Sequence, residues 1–205
     1  MFRFSVALLA LFLTFLPVRA KTITLLALGD SLTAGLGLDP AQAFPAKLEA
    51  ALKVKGHDVV VMNAGVSGDT AAQGAARLDW ALTDAVDGVL VELGANDALR
   101  GLPPEQAEKA LDEILAKLKQ RNLPVLLLGM KAPPNLGPDY GQKFDALYPA
   151  LAGKHGAALY PFYLDGVAAD SKFNQADGMH PNVQGVDEIV KRVLPTVETL
   201  LTQIK

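Results

Sequence analysis

The stretch Leu25–Gly37, LLALGDSLTAGLG, runs an apolar segment straight into Gly29-Asp30-Ser31 and then into small residues. An apolar run that stops on a glycine beside an acid and a hydroxyl reads as a buried strand delivering polar groups at its carboxyl end. Ser31 at such a point is either a helix N-cap, a common place for serine, or a nucleophile.

Working outward, further apolar, β-branched-rich runs occur at Val59–Met62, Val89–Leu93 and Val125–Leu128, with a weaker one at Ala157–Tyr160; the first run spans Ile23–Leu28. Between them lie segments of helical period. Leu111, Ile114, Leu115 and Leu118 share one face, as do Phe144, Leu147 and Leu151, and a final segment carries Val183, Val186, Val190, Val193 and Val197. Pro45, Pro104 and Pro181 mark helix starts, and Pro195 is expected to kink the last helix or end its regular part. Strand followed by helix, repeated along the chain, predicts an α/β fold with a five-stranded parallel sheet covered on both faces. In such a sheet the ligand crevice lies beyond the carboxyl ends of the strands.

Half of the 205 residues are hydrophobic, enough for one domain with a substantial core. Residues 1–20, MFRFSVALLALFLTFLPVRA, combine Arg3, an apolar run from Val6 to Leu16 and a Val18-Arg19-Ala20 cleavage-type site. They read as a secretory signal peptide, leaving residues 21–205 as a single domain that is periplasmic or secreted, with no stable membrane anchor after cleavage. Loss of Arg3 and Arg19 leaves 17 basic against 22 acidic side chains, which argues against a nucleic-acid partner. The chain has no cysteine. A thiol nucleophile, a cysteine-ligated zinc and a disulfide framework are therefore excluded.

The predicted strand ends gather polar residues and glycines: Gly29-Asp30-Ser31, then NAGVSGDT over Asn63–Thr70, GANDALRG over Gly94–Gly101, and MKAPPNLGPDYG after the fourth. Just before the last helix stands DGMHPN, Asp177–Asn182. Of the three histidines, His57 and His155 occupy plausible surface or terminal positions, whereas His180 follows an aspartate by three residues within one turn. A hydroxyl needs a base to become nucleophilic near pH 7, and imidazole suits the task when an acceptor fixes its far nitrogen. Asn96, Gly68 and the Ser31 N–H, the last assisted by a helix dipole, are candidate oxyanion donors. Asp30, Asp97 and Asp177 form a weaker alternative, an oxygen-rich metal site of the magnesium type. G-x-S-x-G, G-x-x-x-x-G-K-[ST], H-E-x-x-H and G-x-G-x-x-G are all absent.

Taken together, GDSLTAG, NAGVSGDT, GANDALRG and DGMHPN resemble the motif blocks of the SGNH, or GDSL, hydrolase family, in the order and spacing of its secreted bacterial thioesterase I, lysophospholipase and arylesterase branch. The resemblance implies a three-layer α/β/α sandwich, flavodoxin-like, with an open site. It implies Ser31 as nucleophile, His180 as general base, Asp177 as its orienting acid, and Ser31, Gly68 and Asn96 as the oxyanion hole; Gly68 is preferred to Gly65 on the SGD match. Ala95 departs from the second glycine that close relatives often carry. No metal or other cofactor is implied. The expected partner is a small acyl ester or thioester, and the expected state is a monomer. Leu99, Arg100, Leu102, Pro134 and Tyr140 are candidate substrate-groove residues on the loops after the third and fourth strands. A carbohydrate acetylesterase on the same fold, a lipase or protease of small activated esters, and a non-catalytic secreted binding protein are the alternatives.

Overall fold

The computed structural model describes residues 21–204. The expected signal peptide lies outside the described residues. Five strands form one parallel sheet: β1 (Ile23–Gly29), β2 (Val59–Gly65), β3 (Gly88–Glu92), β4 (Val125–Leu128) and β5 (Ala158–Tyr160), in the order β2-β1-β3-β4-β5. This is the flavodoxin-like order, in which the chain reverses its direction of travel between β1 and β3. Seven α-helices accompany the sheet among the described residues: α1 (Ser31–Ala34), α2 (Phe44–Val54), α3 (Ala71–Ala81), α4 (Ala95–Leu99), α5 (Pro104–Gln120), α6 (Pro138–His155) and α7 (Val183–Leu201). Packing of α2 on α7, and of α5 on both α3 and α6, gives a helical layer on each face.

The three inner strands are buried throughout their central residues: Leu25, Leu26 and Leu28, Val89 to Val91, and Leu126 to Leu128 all lie in the core. The helix stripes read from the sequence meet them. Leu111, Ile114, Leu115 and Leu118 on α5 and Phe144, Leu147 and Leu151 on α6 are buried, as are Val186, Val190, Val193 and Val197 on α7, while Val183 is half-buried. Burial of each such side chain contributes roughly 1.5–3 kcal/mol relative to exposure.

One local expectation fails, and one of the two outcomes expected at Pro195 does, both for tertiary reasons. The Val59–Met62 run suggests a strand covered on both sides, yet β2 is the sheet edge and Val60 is exposed. Glu49 of α2 covers part of that edge, its Oε2 accepting the Val61 N–H at 2.9 Å. Pro195 does not end the last helix, since α7 continues to Leu201; its apolar stripe stays buried on both sides of the proline, and that packing outweighs one missing hydrogen bond.

The register sets Gly29 opposite Gly65 of β2 and Glu92 of β3, so three neighbouring strands end at one level. Loops carrying Asp30, Gly68 and Asn96 therefore leave the sheet side by side at the chain-reversal point.

Candidate active site

At the end of β1, Asp30 caps α1, its Oδ1 accepting the Leu32 N–H at 3.0 Å. Ser31 is thereby the first residue of a single helical turn, with its hydroxyl at the sheet edge. The shortness of α1 corrects one expectation. Four residues sum little macrodipole, so a helix dipole adds little at the Ser31 N–H. Gly29 permits this turn: a Cβ there would stand 2.0 Å from Thr33 Oγ1 and 2.7 Å from Glu92 Oε2.

His180 approaches from the segment between β5 and α7. Its Nε2 lies 3.0 Å from Ser31 Oγ, and its Nδ1 lies 2.6 Å from Asp177 Oδ2. The Asp177 carboxylate also accepts the backbone N–H groups of Met179 and His180, at 2.9 and 3.0 Å, which closes the turn. Those backbone bonds, then the bond from the imidazole, hold the exposed Asp177 carboxyl down at about 2. It is thus an ionised acceptor for the ring at neutral pH.

The His180 turn is anchored by amides. Asn174 Nδ2 donates to the carbonyls of Val167 and Asp170 at 2.7 and 2.8 Å, and Asn182 caps α7 through the Gly185 N–H at 3.0 Å. Gln175 Nε2 donates to Leu36 O at 2.8 Å and to Pro181 O at 3.0 Å, tying the histidine segment to the loop after α1.

The candidate oxyanion donors come from the neighbouring loops. Gly68 has a left-handed backbone, φ +88°, and its N–H has no partner among the described residues, whereas the Gly65 N–H donates to Asn63 Oδ1 at 2.9 Å. Asn96, in the first turn of α4, donates from Nδ2 to Asp30 Oδ2 and to Asp69 O, each at 3.0 Å. Both hydrogens of its amide are thus taken in this state. Arg77 of α3 braces the same strand ends, donating to Asp69 Oδ2 at 2.6 Å and to the carbonyls of Ala64 and Gly29 at 2.8 Å each.

Ser31, His180, Asp30 and Asn96 border a cavity of about 430 Å³. One wall is Leu99, Pro133 and Pro134; the other is Phe162, Leu164, Ala168 and Ala169, with Met179 at its edge and Lys131 against the Phe162 ring, 5.2 Å from its centroid. Of the five groove candidates, Leu99 and Pro134 are brought to this cavity. Arg100, Leu102 and Tyr140 are not. Arg100 Nη2 instead donates to Gly68 O at 2.6 Å, and Tyr140 Oη donates to Leu102 O at 2.7 Å while its ring stacks on Phe144.

The second wall was not foreseen. It comes from the irregular segment after β5, and applying the strand-end rule to that weak strand would have pointed to it. Asp30, Asp97 and Asp177 do not assemble as metal ligands: Asp97 Oδ2 accepts the Ala71 N–H at 2.8 Å, and no metal-holding group of three or more His, Asp or Glu occurs among the described residues. His57 and His155 pair with Glu198 and Asp112, away from Ser31.

Residues 27–187 match the model of the GDSL-like lipase/acylhydrolase family. The chain is 42% identical over 190 residues to esterase TesA of Pseudomonas aeruginosa, covering 92% of this chain and 94% of that protein. It is 41% identical over 193 residues to thioesterase 1/protease 1/lysophospholipase L1 of Escherichia coli K12, covering 91% of each. The crystal structure of the psychrotrophic esterase EstA from Pseudoalteromonas sp., inhibited by monoethylphosphonate, superimposes with a TM-score of 0.82 at 31% identity, covering 87% of this chain and 98% of that one. The chain therefore belongs to the GDSL-like lipase/acylhydrolase family, the SGNH hydrolases, and is an enzyme of that kind.

Proposed function

We propose that this enzyme hydrolyses carboxylic esters and thioesters through an acyl-enzyme on Ser31, with acyl-CoA, lysophospholipid and aryl esters as the substrate classes. The observation that carries the reading is the continuous line from Ser31 Oγ through the His180 ring to Asp177, with contacts of 3.0 and 2.6 Å. The names of the two relatives above, an esterase and a thioesterase/lysophospholipase, support the same chemistry.

In the first step His180 Nε2 takes the Ser31 proton as Oγ attacks the substrate carbonyl carbon. The carbonyl oxygen becomes an oxyanion, accepted by the N–H groups of Ser31 and Gly68 and by Asn96 Nδ2. For Asn96 this means sharing the hydrogen that faces Asp30 Oδ2. Collapse breaks the bond to the leaving oxygen or sulfur, and His180 returns its proton to that atom. Water, deprotonated by His180, then attacks the acyl carbon and releases the acid with Ser31 restored. The Asp177 carboxylate fixes the ring tautomer and stabilises the imidazolium.

The largely apolar cavity favours an acyl chain or aryl group over acetate alone. Residues 1–20 have the composition of a secretory leader, so the site of action in this reading is the periplasm or beyond, with a single monomeric hydrolase domain after cleavage. No helix among the described residues is long and apolar enough to cross a membrane.

A panel of nitrophenyl esters of increasing chain length, acyl-CoAs and lysophospholipids, run beside Ser31→Ala, tests the proposal. Turnover of medium or long acyl substrates, abolished in a folded Ser31→Ala protein, is the expected result. Retained turnover in that variant overturns the mechanism, and activity confined to acetates redirects the substrate to a carbohydrate acetyl ester.

A further inference from the structure

Beneath the Ser31 turn lies a pair of acids, of which only Asp30 touches the steps above, through its hold on Asn96. Glu92, the last residue of β3, is 1% exposed, and Asp30 at the end of β1 is fully buried. Glu92 Oε2 accepts the Thr33 hydroxyl at 2.8 Å and the Asp30 N–H at 3.3 Å. Its other oxygen, Oε1, is buried and accepts from no N–H or O–H donor among the described residues. The Asp30 carboxylate meanwhile accepts Leu32 N–H and Asn96 Nδ2, each at 3.0 Å. One connected set of bonds thus runs from Glu92 through the turn bearing Ser31 to the Asn96 amide.

The surroundings limit the charge this set can carry. The Tyr148 and Tyr163 phenols lie near the pair, and His180 faces Asp30 from the cavity. Arg77 is committed to Gly29 O, Ala64 O and Asp69, and among the described residues no lysine or arginine bonds to either carboxyl. Two adjacent buried carboxylates without a cation are too costly for both to ionise. The two carboxyls also lie within hydrogen-bonding reach of each other, which requires one proton between them; Asp30, already accepting the Leu32 N–H and Asn96 Nδ2, is the ionised acceptor and Glu92 the neutral donor.

We propose that Glu92 is a positioning residue: the neutral half of a buried Glu92–Asp30 pair that holds one negative charge on Asp30 and thereby orients the Asn96 carboxamide and the Ser31 turn. The inference rests on the acyl-transfer reading of Ser31 and Asn96. Burial raises both acids, Asp30 to about 6 and Glu92 well above its ordinary range, the latter pushed further by the charge on Asp30. Both directions agree with a single proton shared by the pair and held on Glu92. Ionised Asp30 then grips the Asn96 amide with a charge-assisted bond.

The test compares Glu92→Ala and Glu92→Gln, each in the wild-type and Asn96→Ala backgrounds, by kcat and KM on a nitrophenyl ester, with thermal melts to verify folding. Glu92→Ala is expected to lower kcat at least about tenfold with KM changed less than about threefold, whereas in the Asn96→Ala background the same change costs less than about threefold. Glu92→Gln, whose carboxamide imitates the neutral acid, restores kcat to within about threefold of wild type. Equal losses in both backgrounds, or a Gln variant as impaired as Ala, overturns the proposal. Should Glu92→Ala not fold, infrared difference spectra decide: a protonated-carboxyl band in the wild type at neutral pH, missing in Glu92→Gln, supports it, and no such band overturns it. Fluorophosphonate labelling of Ser31 runs alongside. A wild type that does not label removes the acyl-transfer reading itself, while normal labelling with additive kinetics removes Glu92 alone.

Discussion

Asn96 Nδ2 sits 3.0 Å from Asp30 Oδ2, so the side chain expected to cradle an oxyanion is already held by an acid next to the nucleophile. Asp69 O takes the other amide hydrogen, also at 3.0 Å. The resting site is therefore oriented, and a developing negative charge on the substrate must compete with Asp30 for one hydrogen. Asn96→Ala is expected to lower kcat by roughly 10²–10³ with little change in KM, the usual scale for one oxyanion donor. Steady-state kinetics on a nitrophenyl ester measure this, and a loss under twofold removes Asn96 from the site.

Asp177 is exposed yet accepts three bonds, two from backbone and one from the His180 ring. Asp177→Ala should reduce kcat by roughly 10²–10⁴ while the protein stays folded. Its depressed pKa, about 2, also fixes a sign. The folded value lies below the ordinary 3.8, so the stability from this carboxylate is present above 3.8 and is lost as pH falls towards 2. Urea titrations of wild type and Asp177→Ala should accordingly converge on acidification through that window, and a gap that widens instead contradicts the assignment.

Glu92 carries the opposite sign. Burial raises its folded pKa above the ordinary 4.5, so the folded chain binds more protons than the unfolded one and stability falls as pH rises above 4.5. A variant with no proton to lose there escapes that slope. Glu92→Gln should gain on wild type by about 1.4 kcal/mol per pH unit over the interval between the two pKa values. Parallel denaturation curves of the two proteins from pH 5 to 8 would show that Glu92 does not titrate with folding.

Gln175 reaches from the histidine segment to Leu36 O at 2.8 Å, joining the two loops that must hold His180 against Ser31. Gln175→Ala is expected to cost about tenfold in kcat, because the base loses a tether while the reacting groups remain. A kcat within a factor of about two would place the alignment of His180 in the Asn174 and Asn182 contacts alone.

The fold was largely legible because its signals are local: apolar runs of strand length, helical periods, and prolines at helix starts. The Asp177–His180 pair was legible for the same reason, since a three-residue separation in a turn already brings the groups together. Glu92 was not. It sits inside the run VLVELG, Val89–Gly94, and looks like an interruption of a strand, and only the parallel register with β1 reveals that it meets Thr33 and the Asp30 backbone. Arg77 is equally silent on α3, its three acceptors coming from the end of β1, the end of β2 and the loop after β2. Arg100 and Tyr140 have the chemistry of ligand contacts but serve as ties between loops. Residue type identified which groups could act at the edge of the sheet; tertiary packing decided which of them face the cavity.

The central claim is that Ser31 becomes covalently acylated with His180 as its base. Incubation with a fluorophosphonate, followed by digestion and mass spectrometry, tests it most directly. One adduct is expected, on the peptide bearing Ser31, formed quickly in the wild type, slowed by orders of magnitude in His180→Ala and absent in Ser31→Ala. An unmodified Ser31 in protein that still turns over ester, or modification at undiminished rate without His180, would contradict it.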